Sequence, residues 1–147
     1  MDSHLLRVTG LVPKESSFTI ADLQSYPQHT ITCALQCAGN RRHTMRTLLK
    51  EVSGIDWFDG AVMNCSWTGP KLRDVLMAAG VRPDDLEEVR GAGKNKDELD
   101  GAKQLHVQFA CHAVKTQEDS WYGSSVPLHR AMREDADMIL ALQVSTL

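Results

Sequence analysis

The chain has 147 residues, 42% of them hydrophobic and 24% charged, which fits one globular domain able to bury roughly 68–70% of its unfolded surface. The formal net charge of −3 excludes general affinity for nucleic acid, because phosphate binding needs a basic surface. No apolar run approaches the ~20 residues of a membrane span.

In chain order, residues 5–12 (LLRVTGLV) read as a strand closed by Gly10 and Pro13. Residues 19–27 (TIADLQSYP) read as a short helix: Thr19 can cap it, Asp22 lies in its first turn and Pro27 ends it. Residues 30–37 (TITCALQC) are β-branched and apolar, the pattern of a buried strand, and Gly39-Asn40 breaks it. Residues 41–54 fit either a loop or a short helix, and 61–67 read as a strand. Residues 69–81 carry the clearest helical pattern. Pro70 suits a first turn, Leu72, Val75, Leu76 and Ala79 share one face, and Gly80 can terminate it. Residues 90–104 are polar and glycine-containing, hence a surface loop, followed by a strand over 105–114. A short helix over 126–134 and a last strand over 136–144 complete the chain. Strands and short helices mix irregularly, so the expected fold class is α+β with mixed sheets.

The four cysteines, Cys33, Cys37, Cys65 and Cys111, include no CxxC pair, and no leader precedes them. They read as reduced thiols in a soluble, intracellular protein, in the cytoplasm, with the mitochondrion or the peroxisome as alternatives. The terminal STL is a faint echo of a peroxisomal address.

Residues 33–45 (CALQCAGNRRHTM) concentrate chemistry. A thiolate is a soft ligand and a nucleophile. A turn directly after a strand places Cys37 at a sheet edge, and Gly39 allows close backbone approach to a ligand. Arg41, Arg42, His43, Arg46 and Lys50 form a positive neighbourhood that lowers a nearby thiol's pKa and attracts oxyanions. The pattern therefore suggests a cysteine that binds a metal or attacks, beside an anion pocket. The bland alternative is a core cysteine beside a solvated basic face; for Cys33, Cys65 and Cys111 the core reading leads. Cys33 and Cys37 lie four apart on one strand face, so a zinc-binding thiol pair stays open. His106, His112 and His129 form no HExxH or His-x-His pair, which leaves a zinc hydrolase weakly supported. GAGK at 91–94 lacks the spacing of a phosphate loop.

Taken in order, LQCAGNRR (35–42), GIDWFDGAV (54–62), WTGPKLRDVLMAAGV (67–81), YGSSVPLHRAM (122–132) and ADMILAL (136–142) resemble the molybdenum-cofactor domain of the sulfite oxidase family, which also holds the assimilatory nitrate reductases. The likeness runs from about residue 6 to residue 142. It implies the fold of that molybdopterin-binding oxidoreductase domain, with residues 1–147 as one partial copy. It also implies molybdenum held by a pyranopterin dithiolene and one protein cysteine. By motif position Cys37 is the metal ligand, Arg42 faces the substrate oxyanion and Trp57 lines its pocket, while Tyr122 and Ser124 lie near the pterin. The implied reaction oxidises sulfite to sulfate by oxygen-atom transfer; nitrate reduction and a non-catalytic fragment are the alternatives. The electron acceptor stays open.

Against the family pattern, Ser53 precedes Gly54 where a Lys or Arg is common, so that charge is lost or moves to Lys50. The loop after residues 107–109 has acids only at Glu118 and Asp119. The family's upstream arginine segment, its Tyr-Glu-Met-Asn-Gly-like continuation and its dimerisation domain have no counterpart here. The expectation is a chain that holds the cofactor weakly, turns over no sulfite and self-associates.

Overall fold

A computed structural model of the chain describes residues 4–48, 54–55, 58–82, 105–113, 115 and 120–146. Among them seven strands and four short helices form three antiparallel sheets, the α+β class expected. Strand β1 (Leu5–Val8) pairs with β2 (Ser16–Thr19). Helix α1 (Ile20–Ser25) follows directly and leads into β3 (Gln28–Gln36). Helix α2 (Arg42–Leu48) lies within the segment 41–54 that fitted either loop or helix, of which residues 49–53 lie outside the described residues. Strand β4 (Val62–Pro70) pairs with β3 on one side and with β7 (Gln143–Thr146) on the other. Helix α3 (Leu72–Ala78) follows β4. Strands β5 (His106–Cys111) and β6 (Tyr122–Pro127) pair with each other, and α4 (Leu128–Ala131) continues from β6. The loop expected over 90–104 lies outside the described residues.

Helix α1 starts where the sequence says. The Thr19 hydroxyl accepts the Asp22 N–H at 3.1 Å, and the Asp22 carboxylate accepts the Thr19 N–H at 2.8 Å and its hydroxyl at 2.7 Å. Two otherwise orphaned N–H groups are satisfied reciprocally. Those Thr19 hydrogen bonds hold the Asp22 carboxyl below its ordinary pKa. A depressed carboxyl pKa stabilises the fold above the unfolded value and is lost as pH falls through the folded one. Thr19→Ala is therefore expected to lose about 1 kcal/mol at neutral pH. The gap between variant and wild type should narrow as pH drops below about 4. Urea melts at pH 7 and pH 3 check both halves.

The core gathers where α3, α4 and the β5–β6 sheet meet. Leu72, Leu76, Val81, Ala131 and Met132 are buried together, with Val8, Val107, Phe109, Val126 and Met138 packed around them. The helical face expected from the sequence is the buried one: Leu72, Val75, Leu76 and Ala79 all lie inside. Its end is also as expected. The Gly80 N–H reaches the Met77 carbonyl at 2.9 Å and the Val81 N–H the Leu76 carbonyl at 3.1 Å. This pairing requires a left-handed residue at Gly80, whose φ is 89°.

Four expectations need correction. Pro70 is the last residue of β4 rather than a first-turn residue of α3. Its carbonyl accepts the Leu140 N–H at 2.9 Å, so sheet pairing carries the strand through Pro70 and delays the helix to Leu72. Strand β3 is not buried: Leu35 is 53% exposed and Cys33 and Cys37 are exposed. Its apolar positions face outward on the same side as Met63 and Val144, because the registers set Leu35 against Met63 and Trp67 against both Ile31 and Val144. Residues 126 and 127, expected to open the helix over 126–134, belong instead to β6, and the helix shrinks to Leu128–Ala131. The last strand begins at Gln143 rather than 136. Upstream of it the segment stays bonded to β4, with Leu142 N–H to Thr68 carbonyl at 2.8 Å, but one residue out of step. Thr68 pairs with Gln143, whereas Lys71 pairs with Ile139. One extra residue on the C-terminal side is a β-bulge.

Candidate functional site

Strand β3 ends at Gln36, and the chain turns back through residues 37–41 into α2. The Cys37 N–H still bonds the Ala61 carbonyl at 2.9 Å, so the thiol stands at the last ladder position of the sheet, exposed. The Cys37 carbonyl accepts the Asn40 N–H at 3.1 Å and the Gly39 carbonyl the Arg42 N–H at 3.2 Å, a tight turn. The Gly39 N–H points at the Cys37 Sγ at 3.3 Å. A hydrogen bond to sulfur orients it and tempers its donor strength toward a metal.

The turn is clamped by a residue that sequence reading passed over. Asn40 is 8% exposed, the one buried polar residue among those described. Its Nδ2 donates to the carbonyls of Asp59, at 3.2 Å, and Ala61, at 3.4 Å, and its Oδ1 accepts the Ala61 N–H at 3.1 Å. Asparagine can serve both a donor-needing and an acceptor-needing backbone at once. The signal available was an Asn directly after Gly39 in a strand-ending turn, but its partners lie about twenty residues away.

Arg41 adopts a left-handed φ of 65°, rare for a residue with a Cβ. It is held there by its N–H to the Phe58 carbonyl at 2.9 Å and by an ion pair of its Nε with the Asp59 carboxylate at 3.2 Å. Asp59 thus brings an acid into a neighbourhood expected to be purely basic. His43 lies against Phe58, ring centroids 4.7 Å apart. Half-buried Arg42 donates to the Ile55 carbonyl through Nη1 at 3.2 Å. That contact uses one of the five donors of a guanidinium.

Cys37 and Arg42 therefore sit on one clamped turn. Tyr122 and Ser124 lie instead on β6, in a different sheet, opposite Cys111 and Phe109, with Tyr122 60% exposed. Trp57, Lys50, Ser53, Glu118 and Asp119 lie outside the described residues. Among the described residues no three His, Cys, Asp or Glu side chains cluster as metal ligands. Among the described residues a metal at Cys37 would find one protein sulfur, with a cofactor to supply further donors. The exposed thiol, the sulfur-directed N–H and a guanidinium five residues on fit such a group. No helix among the described residues is long and apolar enough to cross a membrane.

Comparison with known proteins gives this arrangement its context. The family model described as oxidoreductase molybdopterin binding domain matches residues 1–146. Mitochondrial sulfite oxidase of Rattus norvegicus is 36% identical over 145 residues, 98% of this chain and 23% of that protein. The NADH nitrate reductase of Ulva prolifera is 32% identical over 139 residues, 95% of this chain and 14% of that protein. The sulfane dehydrogenase SoxCD of Paracoccus pantotrophus superposes with a TM-score of 0.61 at 25% identity, covering 99% of this chain and 30% of that one. The chain thus spans about a quarter of the length of the sulfite oxidases it matches. With the motif, the fold and a family match over almost its whole length in agreement, the chain belongs to the oxidoreductase molybdopterin-binding domain family, whose members carry the molybdenum cofactor.

Proposed function

We propose that this domain serves sulfite oxidation, with Cys37 as the protein ligand to molybdenum, Arg42 as the anion-binding cation and Trp57 lining the substrate pocket. The observation that carries the reading is the clamped turn of residues 37–42, which presents an exposed thiol and a guanidinium from the same short stretch. When bound, the cofactor supplies oxygen-atom exchange with a two-electron change. The chain's own residues do the rest. Cys37 fixes the metal through a soft thiolate. The Gly39 N–H sets the sulfur's orientation. Arg42 draws in and orients the oxyanion through paired donors. Tyr122 and Ser124 are assigned to the pterin side.

Nitrate reduction is the second reading, favoured by the likeness to the Ulva prolifera enzyme. Expression in a host that makes the cofactor, followed by metal analysis and acceptor assays, separates the readings. Molybdenum near one per chain with sulfite-dependent dye reduction supports the proposal. Nitrate-dependent oxidation of a reduced dye instead selects the second reading. Absence of metal, or bound metal with neither activity, points to a non-catalytic fragment.

Within this reading Arg42→Met should lower kcat/KM for the anion by about 10- to 150-fold. A charge-assisted hydrogen bond contributes roughly 1.5–3 kcal/mol, and each 1.4 kcal/mol is about a factor of ten. Steady-state kinetics of the molybdenum-loaded variant checks it; unchanged kinetics with lowered stability would make Arg42 structural, through its Ile55 contact.

A further inference from the structure

Cys33 and Cys65 face each other in register across β3 and β4. Cys33 is exposed and Cys65 is 2% exposed, and both are free thiols. Directly opposite residues of an antiparallel pair project from the same face of the sheet. The bond from the Cys37 N–H to the Ala61 carbonyl makes that pair a hydrogen-bonded one. Stepping back two residues at a time puts Cys33 and Cys65 at a hydrogen-bonded position too, with Cα atoms about 5.5 Å apart. That separation is inside the range a disulfide spans, about 4.4–6.8 Å. Cys37 is four residues further along the strand direction, about 13 Å away, beyond the roughly 7 Å limit. Cys111 belongs to the β5–β6 sheet.

We propose that Cys33 and Cys65 form a reversible disulfide, a two-electron thiol switch driven by a small-molecule disulfide. The exposed Cys33, as thiolate, attacks one sulfur of the small disulfide. A mixed disulfide forms, the S–S bond of the reagent breaks, and one reagent thiol leaves with the proton Cys33 gave up. Cys65 then loses its proton and attacks the Cys33 sulfur, releasing the second reagent thiol. Two cysteine thiols are oxidised by two electrons, and the small disulfide is reduced to two thiols. Cys33 is the entry point because it is exposed, and Cys65 resolves the mixed disulfide because the register holds it opposite. The exposure of Cys33 also leaves the bond open to attack by a reducing thiol, as a switch requires. The switch needs neither the cofactor nor any turnover.

The test is incubation of the reduced chain with oxidised glutathione, followed by alkylation and peptide mass mapping, with and without denaturant. In the native chain Cys33 should be joined to Cys65, the exposed Cys37 and Cys111 should at most carry glutathione, and dithiothreitol should restore all four thiols. In denaturant the register is gone and the shortest loop, Cys33 to Cys37, should close instead. Cys65→Ser should stop at the mixed disulfide on Cys33. Cys33→Ser, an exposed and structurally mild change, should leave Cys65 reduced, and Cys37→Ser should still form the bond. A native link to Cys37 or Cys111, retention of four thiols, or the same products with and without denaturant would overturn the proposal.

Discussion

On the proposed ligand assignment, Cys37→Ser in a full-length version should yield a folded protein that retains no molybdenum and transfers no oxygen. The fold tolerates the change because the main chain carries the contacts of residue 37. Its N–H bonds Ala61 at 2.9 Å and its carbonyl accepts from Asn40 at 3.1 Å, and both bonds survive the substitution. The side chain is exposed, and its sulfur accepts the Gly39 N–H, a bond a hydroxyl oxygen can also accept. A surface change of this kind alters stability by within about 0.5 kcal/mol. The metal does not tolerate it. Molybdenum here would be held by thiolate and dithiolene sulfur, and a neutral hydroxyl is a far harder and weaker donor. Metal analysis beside a thermal melt reads both effects on one sample. Cys111→Ser, an equally exposed cysteine on β5, should keep full metal content. Equal metal in the Cys37 variant and wild type would move the ligand elsewhere.

The difference between what was legible and what was not follows from the range of the interactions. The start of α1 and the end of α3 are local events: Thr19 and Asp22 are three residues apart, and Gly80 and Val81 meet carbonyls three and five residues back, respectively. The buried face of α3 repeats with helical period, so it too is written along the chain. The same holds for the thiol and arginine of the 37–42 turn, six consecutive positions of one motif. Asn40 is different, since its worth comes from Asp59 and Ala61, which only the return of the chain along β4 brings alongside. Asp59 as partner of Arg41 was hidden for the same reason. Strand β6 has little apolar alternation in Tyr122-Gly123-Ser124-Ser125 and exists because β5 offers it a ladder. The outward apolar side of β3 defeats the pattern from the other direction. Periodicity shows that one side of a strand is apolar, and not whether anything covers it.

Gly69→Ala should be the most destabilising small substitution in the sheet. A Cβ at Gly69 would lie 1.8 Å from the Leu140 carbonyl oxygen and 2.7 Å from its carbon. Both are backbone atoms, so no rotamer change relieves the clash. The Leu140 backbone is fixed in turn, because its N–H bonds the Pro70 carbonyl at 2.9 Å and the Leu142 N–H bonds Thr68 at 2.8 Å. The bulge between Ile139 and Gln143 presses the C-terminal segment onto β4 at this point, and only a residue without a side chain leaves it room. Moving that segment away also disturbs the Leu72 N–H bond to the Met138 carbonyl, 2.9 Å, which satisfies an open donor of the first turn of α3. Overpacking with flexible neighbours costs about 1–3 kcal/mol. Against the backbone of Leu140 and Ala141 the loss should reach about 3 kcal/mol or more, a large share of the stability of a domain this size. Gly60, where a Cβ meets nothing within 4 Å, provides the control. Gly60→Ala should melt within a few degrees of wild type while Gly69→Ala melts far lower, and equal melting temperatures would mean that the C-terminal segment does not lie against β4.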